Sequence, residues 1–121
     1  MRAMPFMFVF TASIYVSIGM VWGIVMAATG DHILAPAHAH LNLVGWVTTA
    51  IFGFYYQLVP AAAERRLAKI HFGVATAGLL LLVPGIVMAI TDKGEALATV
   101  GAVLTLTSML IFVFTVFCTR G

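Results

Sequence analysis

The chain has 121 residues, 63% hydrophobic and 8% charged, with a formal net charge of +2. Its mean hydropathy of +1.12 leaves too little polar surface for a water-soluble domain of this size. The small net charge, with no basic run interleaved with aromatics, gives no footprint for nucleic acid. The single Cys118 excludes an internal disulfide and a paired-cysteine site.

Four apolar stretches follow one another, each near the roughly 20 residues that cross a bilayer as a helix. They cover about 5–28, 37–59, 67–90 and 96–118. The first is longer than the roughly 7–15 residues of a signal-peptide core and reads as a retained span. It holds Gly19-Met20-Val21-Trp22-Gly23, a GxxxG pattern that lets helices approach closely and is a candidate dimer face. The second opens on Pro36-Ala37-His38-Ala39-His40-Leu41-Asn42. The third carries His71 near its start, where it reads as a buried or interfacial histidine close to Arg66 and Lys69. It also carries Pro84-Gly85, which predicts a kink. The fourth offers only small hydroxyls (Thr99, Thr105, Thr107, Ser108), which can bond back to their own helix, and reads as devoid of chemistry. No period-2 alternation runs through these stretches, which excludes a barrel. The expectation is an all-α integral membrane four-helix bundle, one domain over residues 1–121.

The basic residues orient it. With four crossings, Arg2, Arg65, Arg66, Lys69 and Arg120 fall on one side, and Asp31, Asp92, Lys93 and Glu95 on the other. The positive-inside rule then puts both termini in the cytoplasm and the histidine loop outside.

Three of the four histidines, His32, His38 and His40, gather at the mouth of the second span. Imidazoles at a membrane boundary are expensive unless something binds them, and histidine is a frequent ligand of metals and haem iron. On an α-helix, residues two apart differ by about 200°. His38 and His40 therefore face opposite flanks and suit two different sites. The His38 flank continues through Asn42, Gly45, Thr49, Phe52, Gly53 and Tyr56. The His40 flank continues through Leu43, Val44, Val47, Ile51, Phe54 and Leu58, an apolar slot that suits a porphyrin. At about 1.5 Å per residue, His40 and His71 lie too far apart in depth to share one haem. Completing an iron site then calls on a second copy, with His40 of one subunit facing His38 of its neighbour around a ring. Two other readings stay open here. The histidines are solvated by headgroups, or His32, His38, His40 and Asp31 hold a surface zinc or copper ion.

His40-Leu41-Asn42-Leu43, then Trp46, then Tyr55-Tyr56-Gln57-Leu58-Val59-Pro60 resembles the second helix of the catalytic subunit of haem–copper oxidases, closest to the nitric oxide reductase branch. His38-Ala39-His40 is similar to the His-x-His of the tenth helix of the same subunits. The resemblance implies that His40 ligates a low-spin haem near the outer side and that His38 faces another. It covers residues 38 to 60. It lacks the vicinal histidines of the copper site and the His-x-x-x-Tyr pair, which leaves the oxygen-reducing centre unsupported. Those subunits have twelve helices in three arcs of four, so a homotrimer of this chain would match one of them. What it implies is a bis-histidine haem b, with Asn42, Gly45, Trp46, Tyr55 and Tyr56 around it. The function would be electron transfer in the bacterial inner membrane, with a quinol or another carrier as donor or acceptor. The competing expectations are an oxidase or reductase with an open haem or copper site, and a haem or copper carrier or oxidase assembly partner.

Overall fold

The structure, a computed structural model, describes all 121 residues and is helical throughout, with no strand. Helix α1 is Ala3–Thr29. It ends where Gly30 turns left-handed at φ 70° and its N–H caps the Met26 carbonyl. Next come Ala35–His40, Leu41–Thr48 and Thr49–Leu58, three segments that run on without a break. We call this stretch, residues 35–58, α2. Pro60–Ala63 makes a single turn. Helix α3 is Arg66–Ile90 and continues unbroken through Pro84. Helix α4 is Ala96–Cys118. These bounds fall within two residues of those expected from hydropathy.

Three helices, α1, α3 and α4, are long and apolar enough to cross a membrane. Large aliphatic and aromatic side chains cover their outer faces, including Phe10, Ile18, Ile24, Leu80, Val103, Leu110 and Phe117. Apolar side chains all round a helix mark a bilayer-embedded one. The protein is therefore an integral membrane protein.

Glycines set how closely the helices pack. Gly78, Gly85 and Gly101 lie where a Cβ would meet the backbone of Thr105, Ala98 and Leu82 at 2.9, 2.4 and 2.4 Å. Helices α3 and α4 therefore touch backbone to backbone along an antiparallel seam, as small residues allow in membranes. On the other side, the GxxxG of α1 faces α2 of the same chain. A Cβ on Gly19 would strike Asn42 Oδ1 at 2.0 Å, and one on Gly23 would come within 3.3 Å of His38 Nε2. The candidate dimer face is thus filled inside the chain. Gly53 packs the other end of α2 against Phe8 and Val9.

Helix α2 is not a plain α-helix. Leu41–Thr48 is a π-helix, in which N–H groups bond to the carbonyl five residues back. The side chains repeat that register: Thr48 Oγ1 donates to Leu43 O and Thr49 Oγ1 to Val44 O, both at 2.9 Å. Four residues advance an α-helix by one turn plus about 40°, and the wider turn removes this drift. As a result, Ala37, Leu41, Gly45, Thr49 and Gly53 are all buried at a strict spacing of four, while Ala39, Leu43, Val47 and Ile51 are all exposed.

Candidate functional site

The two central histidines part company. His38 is half-buried against α1, with the Trp22 ring edge-on at 5.8 Å. Its Nε2 lies 2.9 Å from the Gly19 carbonyl. A carbonyl only accepts, so Nε2 carries the hydrogen and donates it. Asn42 Nδ2 lies 3.3 Å from the same nitrogen, which has no lone pair left to accept from it, and Asn42 Oδ1 is buried without a partner.

His40 is exposed on the opposite flank, and its Nδ1 lies 2.7 Å from the Pro36 carbonyl. The same logic puts the hydrogen on Nδ1. In the neutral ring Nε2 is then a bare lone pair, and the Pro36 bond fixes the ring's orientation. Such a bond is the usual outer support of a metal-ligating imidazole. The donor set therefore fits one axial nitrogen for haem iron.

His40 stands at the mouth of a groove of about 350 Å³. One wall is Val44, Thr48 and Phe52 of α2, the floor is Ala75 and Leu82 of α3, and the other wall includes Thr105, Leu106 and Ser108 of α4. The π register builds this site, because it stacks His40, Val44, Thr48 and Phe52 in one column. The slot expected from α-helical geometry contained Val44, but Leu43, Val47, Ile51 and Phe54 face outward instead. Helix α4, expected to carry no chemistry, supplies a wall with two hydroxyls. No local pattern announces the α4 wall, and the α2 column shows only when a spacing of four replaces the α-helical projection.

The other sequence candidates lie elsewhere. Gly45 packs on Tyr15 and Leu79, and Trp46 is half-buried outside the groove. Tyr55 bonds Thr119 Oγ1 at 2.6 Å, and Tyr56 is fully buried, so both lie toward the far end of α2 from His40. His32 is exposed in the loop, its Nδ1 3.3 Å from the Gly30 carbonyl. No three His, Cys, Asp or Glu side chains converge to hold a metal ion within the chain, so the surface site of His32, His38, His40 and Asp31 is not assembled.

One further polar pair was missed. His71 is buried, as expected, and sits in an aromatic cage. Phe52 lies 4.4 Å from its ring, Phe8 5.2 Å and Phe112 6.1 Å. Its Nδ1 is 2.8 Å from the Tyr56 hydroxyl, and its Nε2 has no partner. Tyr56 and His71 approach only through the pairing of α2 with α3, which no local pattern announces.

No protein-family model, curated protein or solved structure matches the chain.

Proposed function

We propose that this chain is a haem b protein of the bacterial inner membrane, in which His40 Nε2 is an axial ligand and the role is electron transfer. The observation that carries the reading is the bond from His40 Nδ1 to the Pro36 carbonyl, which leaves Nε2 bare on a side chain that lines an open groove. The resemblance of residues 38 to 60 to the second helix of haem–copper oxidases points the same way. Bound haem b would supply a one-electron centre. His40 would anchor it, Val44 and Phe52 would exclude water, and the Thr48, Thr105 and Ser108 hydroxyls would offer the few polar contacts.

A porphyrin is broader than this groove, so part of it would project beyond the chain. A second copy would cover that part, and a trimer would reproduce the twelve helices of an oxidase subunit. Helix α2 is the fourth crossing in this reading, with both termini cytoplasmic and His40 near the periplasmic face. A quinol or another membrane carrier would exchange the electron. His38 of a neighbouring copy reaches the second axial position only by leaving the Gly19 carbonyl. That tether favours a second reading, in which one iron position stays open, as in an oxidase or reductase.

The test is the reduced-minus-oxidised spectrum and haem content of the purified protein, with its mass in detergent. We expect a stoichiometric Soret band, lost in His40→Ala. A colourless protein, or an unchanged band in His40→Ala, overturns the proposal. A shift of the reduced spectrum by carbon monoxide selects the open-site reading. Spectral indifference to it, with loss of the band in His38→Ala, selects the closed one.

A further inference from the structure

Four side-chain polar atoms are sealed off without a hydrogen-bond partner: Asn42 Oδ1, His71 Nε2, Thr105 Oγ1 and Thr115 Oγ1. The last three belong to α3 and α4. Thr105 lines the groove. His71 sits one turn, about 6 Å, beyond Ala75 of the groove floor. Thr115 lies about one turn further along α4 than Phe112 and two turns further than Ser108, and its hydroxyl lies near that of Tyr56 without a hydrogen bond to it. In hydrocarbon each unmet polar atom costs several kcal/mol, and proteins meet such groups with internal water.

We propose that α2, α3 and α4 enclose a hydrated proton path that runs from the groove through His71 and Tyr56 to the end of the molecule bearing Arg65 and Thr119, closed midway by the rings of Phe52 and Phe112. These rings lie 4.7 Å apart and flank His71, and Phe52 is also the last residue of the groove column. In one transfer, Nε2 takes a proton, Nδ1 gives its own to Tyr56 Oη, and that oxygen releases its hydroxyl proton toward Thr115. One proton enters and one leaves, only N–H and O–H bonds change, and nothing is oxidised or reduced. Tyr56 is the one titratable side chain that packs on His71. Helix α1 presents Phe8 to His71 and helix α4 presents Phe112, and Arg65 follows the turn after the Tyr56 end of α2.

The experiment measures proton entry into sealed phospholipid vesicles containing the full chain. A potassium diffusion potential drives it and an internal pH dye reads it. With Phe52 in place, flux is close to that of empty vesicles. Phe52→Ala raises it severalfold, and adding His71→Leu returns it to the starting level. Adding Tyr56→Phe instead, which keeps the ring's volume, lowers it as well and covers the case in which His71→Leu fails to fold. Phe52→Ala vesicles as tight as empty ones overturn the proposal. So does a Phe52→Ala leak that neither second substitution reduces. The readout needs no haem: a colourless protein whose Phe52→Ala variant passes protons removes the electron-transfer reading alone, and a haem-loaded one whose Phe52→Ala variant stays tight removes the proton path alone.

Discussion

At Gly19 a single hydrogen atom decides whether two helices meet. A methyl there would overlap Asn42 Oδ1 at 2.0 Å, whereas at Gly23 it would sit 3.3 Å from His38 Nε2. Overpacking a tight site costs roughly 1–3 kcal/mol. We expect Gly19→Ala to destabilise the protein by about that much and Gly23→Ala by clearly less, read as denaturation midpoints in detergent. Asn42→Ala should recover most of the Gly19→Ala loss, and no recovery would place the strain elsewhere. Tyr56 and His71 form a second such pair. Tyr56→Phe leaves a buried imidazole nitrogen without its partner, at a cost of about 1–3 kcal/mol. Replacing both, as Tyr56→Phe with His71→Leu, should cost less than the sum of the two single changes, and a double-mutant cycle measures the difference.

At the scale of the helix, the π segment of α2 governs which side chains share a face. Inserting an alanine after Thr49, where α2 is plain α-helix, should rotate His40 by about 100° relative to Phe52. The expected result is unchanged helical content with loss of the haem band; retained haem would mean that the column is not the site. The same segment explains what could be read in advance. Runs such as Leu79-Leu80-Leu81-Leu82 and the polar breaks at Gly30–Asp31 and Asp92–Gly94 mark the helices within two residues, because length and hydropathy are local properties. The opposed flanks of His38 and His40 are also legible, since two residues separate them and the π segment begins only afterwards. The groove is not, because a 3.6-residue projection drifts away from a column spaced by four. Nor is the His71 cage, which three other helices build from Phe8, Phe52, Tyr56 and Phe112. The GxxxG face was visible as a close contact, but the sequence does not say whether its partner lies in the same chain.

At the scale of the whole molecule, α3 and α4 are joined by glycines that expose backbone to backbone. Gly85→Ala and Gly101→Ala each bring a Cβ to 2.4 Å from a backbone nitrogen of the other helix, which no side-chain rotation relieves. Combined, they should push the seam apart and lower the denaturation midpoint more than Gly73→Ala, where a Cβ meets nothing within 4 Å. Equal midpoints would argue against the seam. The charged ends are thinly tied by comparison: the ion pair of Arg2 with Glu64 joins two exposed side chains and contributes little.

Helices α2 and α4 touch at one end only, through Phe52 and Tyr55 on Phe112 and through Tyr55 on Thr119, and the groove separates them towards His40. This is the shape of a pair of tongs with an aromatic pivot. The jaws can widen or narrow around a guest without disturbing the pivot, so tolerance for guests of different breadth should be large at the histidine end and nil at the other. Amide exchange should map it, fast along residues 41–48 and slow along 52–56 and 68–72. A uniform pattern would mean that the jaws are fixed.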